Sequence, residues 1–292
     1  MNFSLDQLTA FVMAVEHGSF KLAAVKLGKH ATTVSQQVAA LEIDIGLPLF
    51  DRKVRKLLLT EQGRNLYQYA RSVLTEASRF SDKIDSLCAN QPTDFRLAIG
   101  TTIRDRQLIR CAKAVVSAFP TINLQILSGD PHQIIEWVKQ EEADMGVIST
   151  LFQHYPGLTA VPLFNFQLVQ IAPPAWVGSD RMISEDKARI LPQIVYQHIS
   201  VSENLQGHIL SNHHYTAQNL ADLIEMVSLG LGWAIVPRYQ VDNHLEQGDV
   251  VEFSSIGSKT VNWYAELLYR AETQLNPAMA LFIKEALTLS DR

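Results

Sequence analysis

Cysteine is scarce in this chain, which holds only Cys88 and Cys111 among 292 residues. Two cysteines so far apart provide neither a disulfide framework nor the ligand spacing of a metal site. Redox sensing and an inert structural role are both open to these thiols, and we favour the inert role. The cysteine content therefore predicts a protein without disulfides, suited to a reducing compartment.

Long apolar runs are also lacking. No uncharged apolar stretch reaches the about 18 residues that a membrane helix needs. The first residues, MNFSLDQL, have neither the basic nor the apolar segment of a signal peptide. We therefore expect a cytoplasmic protein that has no membrane partner.

Catalytic and metal-binding motifs are a third absence. The sequence holds no G-x-S-x-G, no H-E-x-x-H and no phosphate-binding loop. His208, His213 and His214 have no carboxylate or cysteine at metal-ligand spacing. We expect no catalytic residues, no bound metal and no cofactor. An enzyme and a solute-binding module are the alternatives, and carboxylates with strongly shifted pKa values that face one another would revive the enzyme.

Charge is unevenly distributed along the chain. Residues 1–90 hold 11 Lys and Arg against 9 Asp and Glu, whereas residues 91–292 hold 14 against 21. The sign change favours a nucleic-acid-facing amino-terminal part and a carboxy-terminal part with another role. Because the excess in the first part is only +2, DNA affinity must come from the local placement of cations.

Residues 18–50 carry the strongest pattern, which is typical of a helix-turn-helix unit. Ser19 is a good N-cap, apolar residues follow at helical spacing, and Gly28 suits the turn. A second apolar pattern runs from Val34 to Ile45, and its other face is polar. An ordinary helical hairpin is the alternative reading of this stretch. We expect the second helix to lie in the DNA major groove and to present base-reading side chains. These are Thr32, Thr33, Ser35, Gln36 and Gln37.

The flanking segments favour DNA binding over a plain hairpin. Ser4 and Gln7 form a capping-box pattern at the start of a third helix. The segment DRKVRKLLLT, residues 51–60, suggests a two-stranded wing whose cations contact the DNA backbone or minor groove. A solvated turn is its alternative reading. The cations concerned are Arg52, Lys53 and Arg55.

A long helix is predicted from the Thr60 cap to about Leu87. Its apolar residues repeat at spacings of 4 and 3, which is typical of a coiled-coil seam. A single amphipathic helix on its own domain is the alternative; we prefer a homodimer, because helix-turn-helix units usually bind DNA in pairs. The predicted seam comprises Leu66, Ala70, Val73, Ala77, Phe80, Ile84 and Leu87.

Beyond a boundary near residues 90–93, helical and extended patterns alternate and predict an α/β region with a parallel sheet covered by helices. A helix is expected at 105–119, another begins at the Asp130 cap, one follows the Asn219 cap, and a last one spans 277–287. Extended segments are expected at 95–100, 122–127, 143–148, 163–172, 193–202, 232–237 and 261–269.

The run GSFKLAAVKLGKHATTVSQQVAALEIDIGLPLFDR, followed by LTEQG, strongly resembles the amino-terminal domain of LysR-type transcriptional regulators. LVQIAPP, LGLGWAIVP and LNPAMALFIKEAL resemble weaker patterns later in the same family. The family commonly has Gln and Pro where this chain has Ala31 and Thr32, and a basic residue where it has Gln36. These departures bear on which operator is read.

The resemblance implies an organisation and a function. A winged helix-turn-helix domain would span residues 1–60 and a linker and dimerisation helix 61–90. A two-lobed α/β effector domain resembling periplasmic binding proteins would span 91–292. Lobe I would hold about 91–163 and 265–292, and lobe II about 164–264. A sequence-specific regulator of this kind would bind double-stranded DNA as a homodimer or homotetramer, with RNA polymerase as a further partner.

The family's small effector, of unknown identity here, would lie in the cleft between the lobes. Polar residues at strand ends and helix starts are candidates to contact it. Arg104 and Arg106 would suit a carboxylate effector, although surface positions are their ordinary interpretation. His198 could titrate near neutral pH, although a satisfied histidine is the ordinary interpretation. The candidate effector contacts are Thr101, Thr102, Ser128, Ser149, Ser200, Ser202 and Asn219.

Overall fold

The computed structural model describes residues 3–51, 57–89, 91–255 and 261–292. The chain divides into two compact units, one up to residue 90 and one from residue 91. Among the described residues, we find no helix with the length and apolar character needed to cross a bilayer.

The amino-terminal unit consists of three short helices, a two-stranded ribbon and a long helix. These are α1 (Leu5–His17), α2 (Phe20–Leu27), α3 (Ala31–Ile45), β1 (Phe50–Asp51), β2 (Leu58–Leu59) and α4 (Glu61–Cys88). The predicted caps at the helix starts are present: Ser4 and Gln7 form the reciprocal capping box, the Ser19 hydroxyl accepts from Lys21 N, and Thr60 accepts from Gly63 N. Gly28 ends α2 with a left-handed φ of 62°.

The core of this unit joins all of its parts. Phe50 of β1 makes edge-to-face contacts with Phe11 of α1 and Phe20 of α2, at ring-centroid distances of 5.7 and 5.6 Å. The ribbon is antiparallel, with Phe50 opposite Leu59. At the start of α4, a Cβ on Gly63 would stand 2.1 Å from Leu49 O, so only glycine allows this approach. The LTEQG run thus fixes α4 against the base of the ribbon.

The carboxy-terminal unit is a mixed α/β fold. Its first part holds β3 (Asp94–Gly100), α5 (Arg106–Ala118), β4 (Asn123–Gly129), α6 (Pro131–Lys139), β5 (Met145–Ser149) and β6 (Leu158–Ala172). Its middle part holds β7 (Met182–Ile183), α7 (Glu185–Ile190), β8 (Gln193–Tyr196), α8 (Gln197–Val201), β9 (His214–Ala217) and α9 (Leu220–Ser228). Its last part holds β10 (Trp233–Pro237), α10 (Arg238–Gln247), β11 (Val251–Ser255), β12 (Val261–Arg270) and α11 (Pro277–Ala286).

One continuous sheet runs through this unit in the order β4-β3-β5-β12-β6-β10-β8-β9. Strands β3, β4 and β5 pair in parallel, as do β8, β9 and β10. The expectation of a purely parallel sheet is wrong, because the long strands β6 and β12 run antiparallel to each other and to their neighbours. These two strands lie between the two parallel parts of the sheet, and each parallel part belongs to one lobe.

The register of β6 and β12 shifts between Tyr264 and Glu266. The expected lobe boundary at residues 264 and 265 falls at this irregularity, and the other expected boundary, at 163 and 164, falls inside β6. Arg292 packs beside this point, because its backbone bonds with Asn165 and Gln167 of β6. The pairing of β6 with β12 is therefore interrupted at this point.

The extended segment expected at 193–202 is wrong beyond Tyr196. Residues from Gln197 to Val201 form α8, a short helix. The Ser200 hydroxyl donates to Gln197 O at 2.8 Å and the Ser202 hydroxyl donates to His198 O at 2.5 Å, so the serines bond to the preceding turn. Ser200 and Ser202 consequently lie in or just after a helix rather than at a strand end.

Candidate nucleic-acid interface and effector cavity

Helix α3 presents a polar face to solvent. Thr32, Ser35 and Gln36 are exposed and Thr33 is half-buried, while Val34, Val38 and Leu41 are buried against the other helices. The polar face carries hydroxyl and amide groups that can donate and accept hydrogen bonds at base edges. Gln37 differs, because it is half-buried and its Oε1 has no hydrogen-bond partner among the described residues.

The ribbon is tied directly to α3. Glu42 of α3 accepts hydrogen bonds from Leu49 N at 2.7 Å and Phe50 N at 3.1 Å. This carboxylate fixes where the ribbon leaves the core relative to the polar face of α3. The predicted wing cations Arg52, Lys53 and Arg55 lie outside the described residues.

The predicted seam of α4 has two different environments. Leu66 and Ala70 pack against the core of their own unit. Further along, Ala77 is half-buried, whereas Val73, Phe80, Ile84 and Leu87 are exposed, with Phe80 at 69 %. The second half of α4 therefore leaves a row of apolar side chains open to solvent.

Hydrogen bonds join the lobes of the carboxy-terminal unit across their cleft. Thr101 Oγ1 donates to Gln218 O at 3.2 Å, and Gln240 Nε2 donates to Thr102 O at 2.7 Å. His132 Nε2 and Ser202 Oγ are 2.7 Å apart. The strand-end residues of lobe I thus meet α8, the Gln218 region and α10 of lobe II.

A cavity of about 430 Å³, counting space that opens to solvent, lies where the strand ends of lobe I meet the sheet of lobe II. Two predicted effector residues, Thr102 and Ser149, line it, and their hydroxyls are 3.2 Å apart. The remaining lining residues come from lobe II and from β12. They are Phe166, Leu168, Gln193, Ile194, Val195, Tyr196, His198, Ile199, His208, Ile235, Pro237 and Trp263.

Burial determines the protonation state of the titratable side chains that line this cavity. It lowers the pKa of His198 to about 4, and it lowers the pKa of His208 as well. Both imidazoles are therefore neutral near pH 7, and the expectation that His198 could titrate near neutral pH is wrong. Burial also raises the pKa of Tyr196, which keeps its hydroxyl protonated.

The other predicted effector residues lie elsewhere. Thr101, Ser128 and Asn219 line a neighbouring, more open part of the cleft, beside the start of α6. Ser202 contacts His132, and Ser200 bonds to its own helix. Arg104 and Arg106 line a separate depression together with Thr101, Asp105 and Asn219.

The aromatic lining of the cavity was missed from the sequence. Tyr196 ends β8 and Trp263 lies in β12, in a distant part of the chain, and the extended patterns alone mark both only as strand interiors. A Tyr or Trp in a buried strand carries a polar atom that needs a partner, and this is the signal that could have marked them.

The two cysteines differ in accessibility. Cys88 is exposed at the end of α4, and Cys111 is buried in α5. Burial raises the pKa of the Cys111 thiol, with Glu285 adding to the effect. A raised pKa disfavours the reactive thiolate, so Cys111 has the properties of a structural thiol.

Two family models match this chain. A model of the LysR substrate binding domain matches residues 91–290, and a model of bacterial regulatory helix-turn-helix proteins of the lysR family matches residues 5–64. One match lies within each of the two structural units described above, and most of α4 lies between the two matches.

Full-length relatives have the same organisation. The transcriptional regulator AceR of Acinetobacter baumannii is 25% identical, with 97% of this chain and 96% of AceR covered. A full-length OxyR variant from Pseudomonas aeruginosa superposes with a TM-score of 0.54 at 19% identity, covering 98% and 100% of the two chains. Full-length CbnR in complex with its target DNA gives 0.53 at 19% identity, covering 97% and 99%.

Proposed function

This chain belongs to the LysR family of DNA-binding transcriptional regulators, and on that premise we propose how it reads DNA and how it is controlled. The family consists of regulators rather than enzymes, and its carboxy-terminal domain is a substrate-binding effector domain. The finer assignments are ours: which residues read the operator, which face pairs two chains, and where the effector binds.

We propose that Thr32, Thr33, Ser35 and Gln36 read base edges, and that Gln37 supports them from a half-buried position. The observation that carries this proposal is the division of α3 into a buried apolar face and an exposed face of short polar side chains. Arg52, Lys53 and Arg55 would contribute sequence-independent contacts to phosphates or the minor groove.

We propose that two chains pair through the exposed apolar row of α4, formed by Val73, Phe80, Ile84 and Leu87, with Ala77 within it. Paired chains would place two α3 helices on successive half-sites. Leu66 and Ala70 would support the pair indirectly, since their side chains already pack in their own unit. We further propose that the dimers can assemble to a tetramer, that the protein contacts RNA polymerase and that it is cytoplasmic.

The effector site we propose is the inter-lobe cleft, with Thr102 and Ser149 in the enclosed cavity and Thr101, Ser128 and Asn219 at its open end. Ser202 would act through the contact with His132 that joins the lobes. Ser200 is the weakest member of this set, because its hydroxyl is bonded within α8.

The test of base reading uses an operator obtained by selection from a random DNA pool with the full-length protein. The double variant Ser35→Ala, Gln36→Ala is compared with the parent on that operator and on unrelated DNA of equal length. Loss of two base contacts should weaken operator binding by about 30-fold or more, with little change on unrelated DNA.

The matched control is Gln68→Ala with Ser72→Ala, the same residue types on the exposed surface of α4. This control should leave both affinities unchanged. An equal loss on both DNAs for the α3 variant would show that these side chains do not read bases.

A further inference from the structure

The chemical class of the effector can be inferred from the walls of the cavity, and this inference rests on the proposed function of the cleft. Among the residues described around it, the lining contains no Asp, Glu, Lys or Arg. A charged ligand group would move from water into a cavity that offers it no opposite charge. This transfer costs far more free energy than burying a neutral group.

The histidines of the cavity do not supply the missing charge. His198 is 3 % exposed, and burial lowers its pKa to about 4. Asp130 and His132 are the charged or titratable groups with an electrostatic effect on His198; Asp130 raises its pKa and His132 lowers it, and burial outweighs both. His208 is neutral for the same reason. Among the described residues that line the cavity, a carboxylate therefore meets no cation near neutral pH.

The cations that would suit a carboxylate lie in another place. Arg104 and Arg106 are exposed and line the depression beside α9 and α10, not the cavity. Arg292, another arginine near α5, is paired with Asp105 at 2.7 Å. The two parts of the cleft thus differ in charge, and the enclosed part is the uncharged one.

Aromatic rings form much of the cavity wall. His208 and Trp263 meet edge to face at a centroid distance of 4.8 Å. Tyr196 and His198 lie 5.5 Å apart with their planes inclined by 31°. Phe166 contributes a fifth ring from β6. Rings of this kind bind another flat ring through stacked and edge contacts.

Three buried polar atoms of the lining have no hydrogen-bond partner among the described residues: Tyr196 OH, His198 Nε2 and Trp263 Nε1. Tyr196 and Trp263 are 3 % and 4 % exposed, so bulk water has little access to their polar atoms. An indole N–H can only donate, whereas a phenol and a neutral imidazole can take either role. A complementary ligand must therefore offer at least one acceptor.

We propose that the cavity binds an uncharged aromatic compound of one or two rings that carries a hydrogen-bond acceptor, such as a carbonyl oxygen, directed at Trp263 Nε1. The space that a water-sized group can occupy in this cavity is only about 20 Å³, so a ring binds there with movement of the lining side chains or of the lobes. Tyr196 and His198 add polar contacts on the same ligand.

The test compares three probes with one ring and similar size: acetophenone is neutral and has an acceptor, benzoate is an anion, and ethylbenzene has no acceptor. The full-length protein is labelled with ¹⁵N at the indoles of its four tryptophans. The signal absent from Trp263→Phe identifies Trp263. Each probe is titrated to millimolar concentration near pH 7.

Acetophenone should shift the Trp263 indole signal downfield in a saturable manner, because its carbonyl accepts the N–H. Benzoate should bind at least about tenfold more weakly, because its charge is not compensated. Ethylbenzene should perturb the signal without the downfield shift. Tyr196→Phe, which removes one hydroxyl, should weaken acetophenone binding by about fivefold.

Trp176→Phe is the matched control, since Trp176 packs in a separate apolar cluster with Phe253 and Trp233. It should leave acetophenone binding unchanged. Benzoate binding as tightly as acetophenone, or a Trp263 signal that neither neutral probe moves, would overturn the proposed ligand class.

The probes distinguish a wrong assignment of the ligand class from a wrong assignment of the proposed function. If benzoate alone shifts the Trp263 signal, the cavity remains an effector site but the inferred class is wrong. If none of the probes shifts this signal while operator binding persists, the inferred class is again overturned and DNA recognition stands.

Discussion

Ser202 accepts a hydrogen bond from His132 across the cleft, and its own hydroxyl donates to the backbone carbonyl of His198. Ser202 Oγ lies 2.7 Å from His132 Nε2 and 2.5 Å from His198 O. A hydroxyl has one proton, and the carbonyl oxygen can only accept, so His132 Nε2–H is the donor to Ser202. The relationship fixes the tautomer of His132 and joins α6 of lobe I to α8 of lobe II.

Ser202→Ala should loosen the closed arrangement of the lobes. The substitution removes one hydrogen bond between the lobes and one within α8, at a cost of about 1 kcal/mol each. Hydrogen exchange of the α8 amides should become faster. Ser228→Ala is the control, because the Ser228 hydroxyl donates to Glu225 O within its own helix. Unchanged exchange in α8 would show that this contact does not hold the lobes together.

Stability of the carboxy-terminal unit should fall as the solution is acidified from about pH 6.5 to pH 4. Burial lowers the pKa of folded His198 to about 4, while the unfolded chain has the ordinary value near 6.5. The unfolded state therefore binds more protons in this window, and folding stability is lost as pH falls, by about 3 kcal/mol in total.

Urea unfolding at several pH values measures this dependence. His198→Phe, which retains a buried ring, should make the stability change over this window clearly smaller. The same slope in parent and variant would mean that His198 is not the buried group that titrates.

Gly63→Ala should destabilise the amino-terminal unit by about 3 kcal/mol, because the added Cβ would stand 2.1 Å from Leu49 O. The relevant measurement is the melting transition of this unit by calorimetry. Gly207→Ala is the control, since nothing lies within 4 Å of the Cβ position there. If Gly63→Ala melts like the parent, the close approach of α4 to the ribbon is not as described.

Phe80→Glu should convert the proposed dimer into monomers at micromolar concentration. Phe80 is 69 % exposed within the apolar row of α4, and paired helices would bury its position. Sedimentation velocity measures the change. Ser78→Glu adds the same charge on another face of α4 and should leave the dimer intact. A parent chain that is already monomeric would refute the pairing of α4 helices.

Local chemistry made much of the amino-terminal unit predictable. Ser4, Ser19 and Thr60 cap helices through their own side chains, and Gly28 ends one through its backbone, so each signal is read within a few residues. The alternation of helices and strands in the carboxy-terminal unit was predictable for the same reason. Cap and periodicity signals do not depend on distant partners.

Long-range pairing was not predictable in this way. The antiparallel partnership of β6 and β12 joins segments about a hundred residues apart, and no local pattern states its direction. The cavity combines Thr102, Tyr196 and Trp263 from three such distant segments. Strand-end rules located Thr102 and Ser149, but the aromatic residues lie within or at the end of strands, where only their need for a polar partner could have marked them.

The number of chains bound to one operator tests whether paired chains present two α3 helices to DNA. Sedimentation of a fluorescently labelled operator with the full-length protein at low salt measures the mass of the complex, with Phe80→Glu as the comparison. An even number of chains, at least two, should bind each operator, and the operator should be preferred over unrelated DNA. A single chain bound per operator with full affinity, or no retention of any selected fragment, would contradict it.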